Sequence, residues 1–214
     1  MPTIPSIPPI PTTTAMRATP ATSLLPGFDN PVDDAQQVFR ATLEAFAHPG
    51  RVETLPVTSG LPDGLSPGLA ALLLTLADPD TPVWLPADVP AAARAFLRFH
   101  CGCPLVDDLG AATFVCVPAG HAMPNLADCA QGVPAYPDRS ATLMMEVASL
   151  TDGDTLTLRG PGIEATQTLR IAGLPADFRA RWRANNAGFP LGVDLLLASG
   201  HQFCALTRTT QVED

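Results

Sequence analysis

Apolar residues recur along the chain with two different periods, and the switches between them mark the elements. From Asn30 the period is helical: Val38, Phe39, Thr42, Leu43 and Phe46 recur three and four residues apart, the spacing that stacks side chains on one face of an α-helix. Asn30 suits the N-cap, Pro31 the first turn, and Asp33 with Asp34 complements the positive helix end, while His48-Pro49-Gly50 stops the helix. Residues 51–57 alternate as a strand does. Ser66-Pro67 then opens a second helix whose run over 69–77 is apolar on nearly every side, which predicts that it is buried.

A short strand over 82–85 precedes a helix over 88–100, and the TFVCV run at 113–117 reads as a central strand. Strands are predicted over 141–150 and 155–159, with Asp152-Gly153 supplying hairpin turn chemistry between them. Residues 163–171 continue that sheet, Pro175 opens a helix carrying Phe178 and Trp182, and 193–198 pairs with 203–207 across Gly200. Helices alternating with strands, then hairpins, predict a mixed sheet covered by helices. Residues 1–23, rich in Pro and Thr, cannot bury enough surface to offset ordering and are read as a disordered arm ahead of a single α/β domain over 24–214.

Composition narrows the chemistry. The 12 basic residues against 21 acidic ones leave a formal charge of −9, which offers no basic stripe to a nucleic-acid backbone. All 12 are arginine; lysine is absent. A P-loop needs a lysine on its phosphates and a pyridoxal phosphate enzyme needs one for its aldimine, so neither can be built here. Five cysteines without a secretory signal point to a reducing cytoplasm, and no apolar run reaches the roughly 18 residues of a membrane span.

The string NPVDDAQQVFRATLEAFAHPGRV at 30–52 resembles the opening helix of the PhnH family, the H subunit of bacterial carbon-phosphorus lyase. The resemblance continues through DPDTPVWL (78–85), RFHCGCPLV (98–106), SATLMMEVASL (140–150), LRGPGI (158–163), FPLGVDLLL (189–197) and RTT (208–210), covering about residues 24–213. It implies a three-layer α/β/α subunit with a mixed sheet, similar to the large domain of pyridoxal phosphate transferases but without the cofactor. It further implies a homodimer in isolation and a place beside the G, I and J subunits in the core complex. That complex forms ribose 1-phosphonate 5-triphosphate from ATP and an alkylphosphonate, and the resemblance gives the H subunit no established active site of its own.

The residues also admit other chemistry. His100, Cys101 and Cys103 form an H-C-x-C cluster that could begin a metal site, but a closed site needs four ligands and the remaining cysteines, Cys116, Cys129 and Cys204, stand singly. No metal and no cofactor are therefore expected. His100 is either a base oriented by Asp78, Asp107 or Asp194, or a histidine satisfied at a helix end. Arg159 and Arg208 are the preferred anion contacts, set against ordinary salt bridges. The Phe189-Pro190-Leu191-Gly192 loop is either a binding surface or a buried lead-in to a strand. Two functions follow: a non-catalytic complex subunit, or an autonomous enzyme acting on a phosphorylated small molecule through His100 with Arg159 or Arg208.

The missing lysine gives a direct expectation. Pyridoxal phosphate followed by borohydride should leave no adduct on any side chain, with labelling confined to the α-amino group; peptide mass spectrometry reads the site.

Overall fold

Three of the helices owe their position to one sheet face. The computed structural model describes residues 25–55 and 61–213. The arm expected over 1–23 and the end of the strand expected over 51–57 lie outside the described residues.

The first helix, α1, spans Pro31–Ala47 with Asn30 at its N-cap. The cap works differently from the expectation. Asn30 donates from Nδ2 to the Asp33 carboxylate at 2.6 Å, and its backbone N–H donates to Asp34 at 2.9 Å, so the acids close the first turn. Val38, Thr42 and Ala45 are buried, whereas Phe39 and Leu43, which belong to the same helical spacing, stand exposed. A short strand β1 (Glu53–Thr54) follows.

Helix α2 (Pro67–Leu76) starts where Ser66 accepts the Leu69 N–H on its hydroxyl at 3.3 Å. Its residues 68–73 are all buried, as their continuous apolar run predicts. Gly68 allows the approach: its N–H donates to Gly200 O at 2.7 Å, and a Cβ there would lie 2.9 Å from the same oxygen. After β2 (Val83–Trp84), helix α3 spans Ala91–His100, and β3 (Leu105–Val106) and β4 (Phe114–Val117) complete this part of the sheet.

A hairpin, β5 (Gln131–Val133) with β6 (Tyr136–Ser140), precedes β7 (Thr142–Glu146). Strands β8 (Ser149–Arg159) and β9 (Gln167–Ala172), helix α4 (Phe178–Ala187), and strands β10 (Asp194–Ser199), β11 (Gln202–Leu206) and β12 (Gln211–Glu213) follow. The main sheet has the order β1-β11-β10-β7-β4-β2-β3. Its strands from β10 to β3 are parallel, and β11 turns back antiparallel on β10 across Gly200, as expected.

Register aligns side chains into rows. Val115, Leu143, Leu195 and Leu206 face one another across four strands; Cys116, Met144, Leu196 and Ala205 form the next row, and Val117, Met145, Leu197 and Cys204 the one after. Since successive residues of a strand point to opposite faces, the middle row joins the core under α1, α2 and α3, and the outer two rows join the core on the other side.

That other side is where the expected topology fails. Asp152-Gly153 does not join two paired strands: β7 and β8 belong to different sheets, and both turn residues lie within β8. There the register jumps, with Ser149 opposite Ala172 but Asp154 opposite Ile171. Gly153 takes φ +102 in this bulge, where a Cβ would come within 2.3 Å of Ile171 O. The turn chemistry is real, but it serves a bulge. Strands β12, β8 and β9 form their own antiparallel sheet, and together with α4 they cover the second face through Leu156, Leu158, Leu169, Ile171, Phe178 and Trp182. The mixed α/β character stands; the second cover is a sheet and one helix instead of helices alone.

Trp182 is completely buried and donates its indole N–H to Thr210 O at 2.8 Å. Replacing Trp182 by Ala should destabilise the protein by about 3–5 kcal/mol through lost transfer energy and a cavity, read as a fall in the urea midpoint with an unchanged slope.

Candidate functional site

The hairpin register brings two of the sequence-selected residues together. Leu195 faces Leu206, so Asp194 at the head of β10 meets the chain leaving β11. The Arg208 backbone N–H donates to Asp194 Oδ1 at 2.7 Å; its Nε reaches the same oxygen at 3.2 Å and its Nη2 reaches Oδ2 at 2.5 Å. Nη2 also donates to Ser140 Oγ at 2.5 Å, and Nη1 donates to the carbonyls of Pro137 at 2.8 Å and Pro190 at 3.4 Å. A guanidinium has five N–H groups. Each of them has an acceptor in the protein, so this Arg208 presents no spare donor to an anion.

Its surroundings are held by the same segment. Thr207 and Thr209 share a hydroxyl hydrogen bond of 2.9 Å, Thr207 and Thr210 another of 2.9 Å, and Asn186 donates to Arg208 O at 2.9 Å. Above the ion pair lies a depression of about 360 Å³ lined by Pro137, Asp138, Phe189, Pro190, Thr207 and Thr209, with a cis peptide between Phe189 and Pro190. Phe189 is 60% exposed, so this loop meets solvent and is not a buried lead-in. The depression sits at the amino ends of β7 and β10, whereas open parallel sheets bind ligands at their carboxyl ends. At the carboxyl ends the chain itself closes the sheet: Val147 N–H donates to Ala198 O at 2.8 Å, and Ser199 Oγ to Ala148 O at 3.3 Å.

His100 and Arg159 lie apart from this pair. His100 ends α3, and its Nε2 is 2.9 Å from Leu25 O, which requires the proton on that nitrogen. The ring packs 4.5 Å from Phe96 and 4.9 Å from Phe99, and Gly27 leaves room for it. Its hydrogen bond is to backbone, not to Asp78, Asp107 or Asp194. Arg159 is half exposed, paired with Glu213 and in contact with Ala165 O at 3.3 Å, which places it on the smaller sheet.

The H-C-x-C string does not converge. Cys101 and Cys103 are buried and donate their thiols to Leu73 O at 3.5 Å and Leu97 O at 4.0 Å, while His100 turns to Leu25. The adjacent Cys103 thiol, together with burial, pushes the Cys101 thiol up, and the adjacent Cys101 pulls the Cys103 thiol down against the effect of burial. Burial pushes Cys129 to about 11 and Cys204 to about 12, which keeps both protonated at neutral pH. Among the described residues no three His, Cys, Asp or Glu side chains are grouped as metal ligands would be.

The quoted strings can now be placed. RTT is the turn that carries Arg208 and the threonine cluster, FPLG is the rim of the depression, and LRGPGI leaves β8. A family model described as bacterial phosphonate metabolism protein PhnH matches residues 26–213. The chain belongs to the PhnH family. Over 187 residues, 87% of this chain and 94% of the relative, it is 40% identical to the protein named alpha-D-ribose 1-methylphosphonate 5-triphosphate synthase subunit PhnH of Rhizobium meliloti strain 1021. Over 183 residues, 83% of this chain and 85% of the relative, it is 34% identical to the putative C-P lyase subunit protein HtxG of Stutzerimonas stutzeri. PhnH membership thus covers both faces of the main sheet and the Arg208 clamp.

Pattern reading named Asp194 and Arg208 separately and missed Ser140, Pro137 and Pro190 as their partners. The hairpin across Gly200 carried the signal for the pairing, since its register sets Asp194 beside the residues following Leu206.

Because Asp194 is only 21% exposed and Arg208 only 14%, removing the guanidinium strands a partly buried carboxylate. Arg208→Ala should cost about 3 kcal/mol or more, measured by urea unfolding, and Arg159→Ala, at an exposed pair, less than about 1 kcal/mol.

Proposed function

We propose that this chain is the H subunit of a carbon-phosphorus lyase system, working in the cytoplasm with G, I and J subunits to form ribose 1-methylphosphonate 5-triphosphate from ATP and methylphosphonate. In this reading it contributes an assembly surface and no reacting group, forms a homodimer when isolated, binds no pyridoxal phosphate, and keeps the architecture of the large domain of pyridoxal phosphate transferases. The single supporting observation is the 40% identity over 94% of a relative named as a subunit of that synthase.

The geometry favours the partner role over an autonomous enzyme. Arg208 has its donors engaged, His100 is tied to a backbone carbonyl without a carboxylate to orient it, and Arg159 stands on another part of the surface. A general base needs a substrate proton within reach, and an anion contact needs a free donor beside it. No helix among the described residues is long and apolar enough to cross a membrane.

The test is genetic and biochemical. Deleting this subunit should abolish growth on methylphosphonate as sole phosphorus source, while His100→Ala and Arg159→Ala should leave growth at least partly intact. The purified chain given ATP and methylphosphonate should release no adenine. Abolished growth in His100→Ala, with the complex still co-purifying intact, would assign His100 a direct chemical role and overturn the reading.

A further inference from the structure

Helix α1 has two apolar stripes and uses one. Val38, Thr42 and Ala45 are buried on the sheet side. Val32, Phe39 and Leu43 are 78%, 46% and 53% exposed. At 100° per residue these three fall within about 40° of one another, on a line about 16 Å long. Gln36 completes the line as its polar member, and it too is exposed. Spaced four, three and four residues apart, Val32, Gln36, Phe39 and Leu43 have the seam spacing of a two-helix pairing.

Beside the seam run two charges. Asp33 and Arg40 are exposed and seven residues apart, two turns along the same flank. Arg40 forms no ion pair or hydrogen bond among the described residues, although Arg51, Arg159, Arg181 and Arg208 all have carboxylate partners.

We propose that a second copy of this chain packs on this stripe, α1 against α1 and antiparallel, about a two-fold axis midway between Gln36 and Phe39. The proposal rests on the homodimer reading above and names its surface. In that register Val32 meets the partner's Leu43, Gln36 meets the partner's Phe39, and Asp33 lies nearest the partner's Arg40. The two-fold repeats each contact, so the stripe is complementary to itself in shape and in charge, as an isologous interface requires. The two copies' Gln36 residues lie within one turn of each other across the two-fold, the polar step in an otherwise apolar seam. A parallel pairing would instead carry the Asp33 and Arg40 flanks of the two copies to opposite sides of the seam, where neither charge meets its opposite.

The test uses the full-length protein in sedimentation equilibrium over nanomolar to micromolar concentrations. Asp33→Arg and Arg40→Asp should each weaken self-association about tenfold, because each turns two attractions into two repulsions. Mixing the two variant proteins should restore it, since the mixed dimer carries opposite charges at both places; misfolding of either variant would not produce this recovery. Phe39→Glu should weaken association by at least about thirtyfold. Single reversals that leave a wild-type dimer within twofold, or a mixture that fails to recover, would overturn this surface while leaving the dimer reading standing. A wild-type protein that stays monomeric at micromolar concentration would remove both.

Discussion

Burial of the parallel seam on both faces governs this architecture. In β4, β7 and β10 nearly every side chain is taken up, alternately by the core beneath α1, α2 and α3 and by the core beneath β8, β9 and α4. Each fully buried Leu, Val or Met contributes about 1.5–3 kcal/mol relative to exposure. A one-residue slip would exchange the two sets. The aligned rows across β4, β7, β10 and β11 are therefore the constraint to which the other elements conform.

The polar contacts follow from that packing. Covering a sheet on both faces leaves its strand ends as the places where backbone groups must be satisfied. At the amino ends Arg208 supplies donors to Asp194, Ser140, Pro137 and Pro190, joining β10, the β5–β6 hairpin and the loop after α4. At the carboxyl ends Val147 and Ser199 do the same with main-chain partners. Asn185 repeats the device under α4, accepting from Val193 N–H and donating to Val193 O, each at 2.9 Å. The partly buried arginine is thus a joint between segments, and its charge is matched by the carboxylate that the hairpin register delivers.

Most of the central sheet was legible because it carries the strongest pattern. The strands at 113–117, 193–198 and 203–207 and the buried helix after Ser66 appear where apolar runs and turn residues place them. The β5–β6 hairpin was hidden: with Pro134 and Pro137, Asp138 and Arg139 in its span, it shows neither alternation nor a continuous apolar run. Asp152-Gly153 misled because bulges and hairpin turns draw on the same positive-φ chemistry, and only the partner strand decides between them. Phe39 and Leu43 misled for a related reason. Periodicity identifies apolar stripes on a helix but not which of them the protein itself covers. At the candidate site the two charges were readable and the saturation of Arg208 was not, since it depends on carbonyls of Pro137 and Pro190, brought from segments that no sequence pattern places.

What distinguishes a subunit from a small enzyme is where unsatisfied capacity remains. An active site keeps donors and titratable groups aimed into a cleft, unspent until a substrate arrives. Here the residues that chemistry would choose are spent: Arg208 on Asp194 and three other acceptors, His100 on Leu25, Cys101 on Leu73. The unspent capacity lies outside, in Val32, Phe39 and Leu43 along α1, in Phe99 at the end of α3, and in Val133, Tyr136 and Phe189 around the hairpin. Single exposed apolar residues need no explanation, but three aligned on one helix beside an arginine that has no ion pair among the described residues do. Free energy that the fold leaves ungained on its surface is available to association. In this chain that surplus is apolar and lies on a helix face, where the proposed assembly role would use it.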